Sequence, residues 1–344
     1  MAQASDLLLN RAREIENIPA GIALLQQLED WWAKESLRTL VGGIESEAIG
    51  LRQRSYNTLV YSCRKYSMVL KAVERLLGYF RANCTIEELF ESLTFVIVGS
   101  LGRYEAEMKR SDIDADIVFC CSNDKRKTEY VHQAHTHLVD QVRQDLTSHG
   151  VEGYYLDVQH AFNYSYEDLR RHVAREDYSH LYNLLLTGKP LTNSDRYQRE
   201  VNAIISRMTP NGLYEGLLEV LRTLVAKDVQ DLRKAERQPL DVIKLMYHVM
   251  TYLMQILAFL FIPDEPLKSA RLNYWRICEL LLGQPDVRRP QWRRLRRGVV
   301  SSMKMRDYDA SFPSDEREKA RQHILRAYST AVRLSASRGF VIYR

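Results

Sequence analysis

The chain has 344 residues, 45% apolar and 27% charged, with 20 Tyr but only 15 Gly and 9 Pro. That is the composition of a soluble, helix-rich globular protein of two or three domains, and it excludes a disordered or collagen-like chain. The formal charge of +5 does not by itself call for a polyanionic partner, so where the cations sit matters more than their number.

Five scattered cysteines (Cys63, Cys84, Cys120, Cys121 and Cys278) include no Cys-x-x-Cys pair. They suit reduced thiols in the cytoplasm and argue against a disulfide framework or a zinc site. Met1 to Asp6 lead into a charged helical pattern rather than an apolar signal, so nothing suggests secretion.

In chain order, residues 1–90 predict an N-terminal helical region. Ile22, Leu25, Leu28 and Trp31-Trp32 recur at helical intervals, as do Leu70, Val73, Leu76-Leu77 and Phe80, with a break at Gly42-Gly43. Thr94 to Val98 is a continuous β-branched and aromatic run ending at Gly99-Ser100, which predicts a buried strand. Ile117 to Cys120 predicts a second strand. Val131, Ala134, Leu138, Val142 and Leu146 mark a helix across 125–149 that Gly150 stops. Gly153 to Ala161 alternates like a third strand and contains Asp157.

Beyond Tyr166 the pattern is helical, near 166–187, 198–207, 213–236, 239–262, 270–283 and 315–336, with boundaries at Pro239, Pro263, Pro266 and Pro290. Leu245 to Ile262 is long enough to cross a membrane. His248, Thr251, Gln255 and the stop at Pro263 instead predict a buried helix and no stable membrane insertion. The expected fold class is α+β: a small mixed-sheet domain over 91–195, flanked by N-terminal helices (1–90) and a C-terminal helical domain (196–344).

The chemistry concentrates between Phe95 and Phe119. A strand runs into Gly99-Ser100, where glycine lets a phosphate approach backbone N–H groups and the Ser100 hydroxyl can donate to the same oxygens. Asp112 and Asp114 then stand two apart at the start of a strand, so both carboxylates share one face. Paired hard oxygen ligands suit Mg²⁺, which fills its remaining positions with water and substrate phosphate. Asp157, on a neighbouring predicted strand, is the acidic residue placed to complete a two-metal site. A buried strand carboxylate satisfied by backbone donors would read the same way. Such a site performs phosphoryl or nucleotidyl transfer, with Asp112 and Asp114 bridging the ions and Asp157 on the ion that activates the acceptor.

The assembled motif is an apolar strand, Gly99-Ser100, Gly102-Arg103-x-Glu105, Ser111-Asp112-x-Asp114 and a second strand. It resembles the signature of the DNA polymerase β-like nucleotidyltransferase superfamily, and is similar to the PII-protein uridylyltransferases and related bacterial enzymes. The resemblance covers about 70 residues. It implies a mixed sheet, two Mg²⁺ ions for which Mn²⁺ can substitute, and a nucleoside triphosphate donor. It also implies Gly99, Ser100, Gly102 and Arg103 at the nucleotide, with Asp112, Asp114 and Asp157 at the metals. A protein acceptor is favoured over RNA. Leu184 to Leu191, containing Thr-Gly188-Lys-Pro, resembles the segment that follows the catalytic domain in those enzymes. The loop between Ser100 and Asp112 is one residue longer than in the similar enzymes, which leaves Asp114/Asp116 as an alternative pair.

Other signals compete with plainer readings. Arg103 suits a phosphate clamp or a partner for Glu105 or Glu107. His132 and His135 stand i, i+3 on one helix without a third ligand, which suits an exposed face. Arg175 and His180 match an Arg-x4-His pattern resembling helical ribonucleases, or belong to a charged helix face. Arg288 to Arg297 interleave cations with Trp292, so the stretch suits a solvated helix face or an RNA backbone with a stacked base. The expected activity is transfer of a nucleoside monophosphate from a triphosphate to an acceptor hydroxyl. The alternatives are a catalytically silent nucleotide-binding regulator, or an RNA-directed transferase or toxin module.

Overall fold

A computed structural model of the protein describes residues 94–102, 115–119, 163–175, 188–192, 194–207, 210–234, 239–262, 290–306 and 313–342, with single positions at 71, 129, 136, 140, 144, 148, 177, 184 and 281. The predicted N-terminal helices apart from position 71, the third strand over 153–161 and most of the helices over 125–149 and 270–283 therefore lie outside the described residues. Among the described residues helices dominate, and four short strands form one sheet. They divide into two compact units, at Gly216/Leu217 within a helix.

In the first unit, β1 (Thr94–Ile97) is buried at every residue, as its unbroken β-branched and aromatic run requires. A short helix α1 (Gly99–Gly102) follows, then β2 (Ala115–Phe119) and β3 (Asn163–Ser165). α2 (Tyr166–Ala174), β4 (Lys189–Pro190) and α3 (Ser194–Ile205) complete the elements of this unit. The sheet order is β3-β2-β1-β4. β1 is antiparallel to β2, pairing Ile97 with Ala115, and antiparallel to β4, pairing Ile97 with Lys189. β2 and β3 are parallel, with Ile117 opposite Asn163, so the sheet is mixed. Pro190, which has no N–H to give, sits on the edge strand where none is needed. Past Pro190 the pairing continues through Leu191 N–H to the Phe95 carbonyl (2.7 Å), while the Phe95 N–H donates to Thr192 Oγ1 (3.1 Å).

Ser165 ends β3 and starts α2 as its N-cap. Its hydroxyl accepts from the Asp168 N–H (2.9 Å), and its own N–H donates to the Asp168 carboxylate (3.2 Å). That capping box drives Tyr166 and Leu169 into the core. The pattern over 166–187 predicts one helix, but the structure ends α2 at Ala174. Arg175 leaves helical geometry, and the Asp177 N–H turns back to the His172 carbonyl (3.0 Å), with the Asp177 carboxylate 2.9 Å from the His172 ring. An Arg170–Glu200 ion pair ties α2 to α3.

The second unit begins inside α4 (Pro210–Arg233), which buries Leu217, Leu218, Leu221, Val225, Val229 and Leu232 at helical spacing. α5 (Pro239–Phe261), α6 (Pro290–Arg306) and α7 (Ser314–Ala336) pack on one another. α4, α5 and α6 each start on proline, whose fixed φ suits a first helical residue. α5 is the one helix among the described residues long and apolar enough to cross a membrane, and most of it is buried within this chain. Its polar groups are satisfied internally: the Thr251 hydroxyl donates to the Tyr247 carbonyl (3.0 Å), and His248 faces Asp228 at 3.5 Å.

α6 was not among the helices expected from periodicity. It turns Trp292, Leu295, Val299 and Met303 inward, and Trp292 meets Phe261 edge-on with ring centroids 5.6 Å apart. Gly298 is where α6 approaches α5 and α7 most tightly. A methyl group there would lie 2.6 Å from Ala327 Cβ and 3.0 Å from Met250 Sδ. In an exposed helix, Gly→Ala stabilises by about 1 kcal/mol. At Gly298 the overlap with Ala327 outweighs that gain, so Gly298→Ala is expected to lower unfolding free energy by about 1–2 kcal/mol in urea titrations. An increase would show that the helices separate without penalty.

Candidate functional site

The strand that anchors the sheet also fixes the geometry of the candidate site. β1 leaves the core at Val98, and Gly99 adopts φ 66°, a left-handed conformation that side chains disfavour. The chain then enters α1, whose first turn closes with the Gly102 N–H on the Val98 carbonyl at 3.2 Å. Leu101 is fully buried and pins this turn, while Ser100 is half-exposed. Among the described residues the Ser100 hydroxyl has no hydrogen-bond partner. The N–H groups of Ser100 and Leu101 belong to the first turn, where no carbonyl within the helix reaches them.

Sheet register shows what shares this end. Because β1 and β2 are antiparallel, the end of β1 lies beside the start of β2. The start of β3 lies at the same edge because β3 parallels β2. β4 also starts there, with Lys189 opposite Ile97. One exit and three entries of the chain therefore meet at a single sheet edge. In sequence, Asp114 immediately precedes β2, and Asp157 stands six residues before Asn163.

Gly99, Ser100 and Gly102 thus lie at the edge, whereas Arg103, Asp112, Asp114 and Asp157 lie outside the described residues. Asp116, of the alternative pair, is in β2 opposite Val96. Lys189, which opens β4 at this edge, was not singled out in the sequence. Its signal was the Thr-Gly188-Lys-Pro segment, but a strand of two residues has no periodicity to read. Gly188 is required at the entry to β4: a Cβ there would sit 2.3 Å from the Leu184 carbonyl oxygen and 2.9 Å from Tyr197 Oη.

The remaining candidates separate clearly. Among the described residues no group of three His, Cys, Asp or Glu side chains could hold a metal. His132, His135 and His180 lie outside the described residues, and Arg175 is an exposed helix terminus. Trp292, which the RNA reading of this stretch would use to stack a base, is only 2% exposed. Burial against Phe261 removes it from that role. Arg293, Arg294 and Arg297 are exposed.

No family model matches the chain, and no curated protein matches it significantly.

Gly99→Ala is expected to cost about 1–2 kcal/mol of stability because it forces a side chain into the left-handed region. Ser100→Ala, which removes no described bond, should leave stability within about 0.5 kcal/mol of wild type. Thermal unfolding of both variants checks the pair; a large loss for Ser100→Ala would make the hydroxyl a structural group.

Proposed function

We propose that the protein is a metal-dependent nucleotidyltransferase of the DNA polymerase β type. It moves a nucleoside monophosphate from a nucleoside triphosphate to an acceptor hydroxyl and releases pyrophosphate. The observation that carries this reading is the meeting of the β1 exit at Gly99-Ser100 with the entries to β2, β3 and β4 at one sheet edge. In sequence, Asp112 and Asp114 precede β2 and Asp157 precedes β3, the two parallel strands that begin at that edge. A small mixed sheet is also the core that the resemblance implies.

The donor set fits the ion. Carboxylate oxygens are the hard ligands that Mg²⁺ prefers, and Asp112, Asp114 and Asp157 would hold it. When bound, the metal neutralises triphosphate charge and activates the acceptor hydroxyl. The chain's own groups do the rest. The turn at Gly99 presents first-turn N–H groups, and the Ser100 hydroxyl donates to the same triphosphate oxygens. Arg103, next in sequence after α1, would add a planar cation. The acceptor oxygen bonds to the α-phosphorus, the bond to the bridging oxygen breaks, and pyrophosphate leaves with that electron pair. The acceptor proton passes to Asp157. Resemblance to the protein uridylyltransferases favours a protein side chain as acceptor.

Incubation with each α-labelled triphosphate, Mg²⁺ and cell extract tests the reading. Label transfer by wild type, absent from Asp112→Ala/Asp114→Ala and reduced about 10-fold or more in Ser100→Ala, is expected. Triphosphate binding without transfer or pyrophosphate release, for every base, would replace the enzyme with a silent nucleotide-binding regulator.

A further inference from the structure

The helical unit carries a charge distribution that the transferase reading does not use. α6 holds six cations, Arg293, Arg294, Arg296, Arg297, Lys304 and Arg306, and no carboxylate in its 17 residues. On α7 the carboxylates are confined to the first turns, where Asp315 pairs with Lys319 and Glu318 with Arg321. From Lys319 to Ala336 α7 has no acidic residue.

The two helices are locked side by side, with Ser301 Oγ on α6 2.9 Å from His323 Nδ1 on α7. Arg293 and Arg297 stand i, i+4 on α6, one turn apart on one face and advanced by about 6 Å along the axis. Arg297 and Arg326 both act electrostatically on His323, one from each helix. All three arginines are exposed, and no carboxylate pairs with them among the described residues. Burial first, and then these two guanidiniums, hold the His323 imidazole below its ordinary range. Like charges held together on a rigid helix pair repel, and a bound anion relieves that repulsion.

We propose that Arg293, Arg297 and Arg326, on the adjoining faces of α6 and α7, form a docking surface for the phosphodiester backbone of a single-stranded nucleic acid. Guanidinium groups suit phosphate oxygens through paired N–H donors. Arg293 and Arg297 follow one another along α6 with Arg326 beside them on α7, so the three cations can track one phosphodiester backbone. Trp292 is buried, so contacts run to phosphates and binding is tolerant of sequence.

The full chain is titrated into a labelled oligouridylate of about 12 nucleotides while anisotropy is read. With three phosphate contacts the log–log salt slope is about −2, and affinity falls about 20-fold between 50 and 200 mM salt. Arg297→Ala/Arg326→Ala should bring the slope toward about −0.7 and weaken low-salt binding by about 10-fold or more. Arg297→Lys/Arg326→Lys, which keeps the charge, should retain most of the slope, and Lys227→Ala on α4 should match wild type. Far-UV circular dichroism checks that each variant is folded. On binding, the NMR titration midpoint of His323 should move upward, because a phosphate nearby favours imidazolium. No binding by wild type, an unchanged slope in the folded double alanine variant, an unmoved His323 midpoint, or equal affinity for polyglutamate would each overturn the proposal. Asp112→Ala/Asp114→Ala should bind the oligonucleotide as wild type does, so this surface stands or falls apart from the transferase reading.

Discussion

The antiparallel registration of β1 between β2 and β4 is the constraint on which the first unit depends. β1 is buried on both faces and hydrogen-bonded on both edges, so its position admits little adjustment. A slip of one residue would exchange its two faces and move Ile97 away from both Ala115 and Lys189. Several contacts remote from the sheet edge hold the register. Thr94 Oγ1 lies 3.5 Å from the Tyr166 hydroxyl, tying the start of β1 to α2. The Phe95 N–H is met by the Thr192 side chain just past the end of β4. Gly99 and Gly188 then permit two sharp passages at the opposite end: Gly99 by its backbone angle, Gly188 by the absence of a Cβ.

The second unit rests on a different balance. α5 has little polar surface to offer water, so α6 and α7 must cover it. They can do so because each divides cleanly into an apolar stripe and a charged face. Along α7, Ala320, Ile324, Ala327, Ala331 and Leu334 lie inward, with small residues where α6 comes close. On α6, Gly298 opposite Ala327 allows the approach that lets Trp292 and Leu295 bury fully. Arg293, Arg294 and Arg297 of α6 are left exposed, and a positive surface follows from burying the opposite face.

How far the sequence disclosed this architecture depended on whether local pattern or distant partners decided each element. β1 was legible because an uninterrupted run of Thr, Phe, Val and Ile has few alternatives. α5 and α7 were legible because apolar spacing and proline marked their limits. For α6 the sequence suggested a solvated helix face, but dense Arg obscured the buried stripe at Trp292, Leu295, Val299 and Met303. The end of α2 at Ala174 escaped because no Gly or Pro announces it; the turn of Asp177 onto His172 makes it. At the candidate site, Gly99-Ser100 could be read directly, since a left-handed glycine closing a strand is a local property. Lys189 could not, because its place depends on pairing with Ile97 more than 90 residues away. The direction of the Trp292 ring was not legible for the same reason: only Phe261 and the packed helices decide which way it faces.

A site formed where strands begin and end has a physical advantage over one formed along their length. Residues within β1 must satisfy the core on both faces, so their identity is taken up by packing. Residues just beyond the strand ends carry no such burden, yet inherit their positions from the same rigid register. Ser100 shows the separation: Leu101 anchors the turn in the core while the neighbouring hydroxyl stays half-exposed, with no bond among the described residues. Precision is supplied by one residue and chemical freedom is kept by the next. Polar groups gathered at such an edge can be chosen for their chemistry because buried neighbours set the geometry.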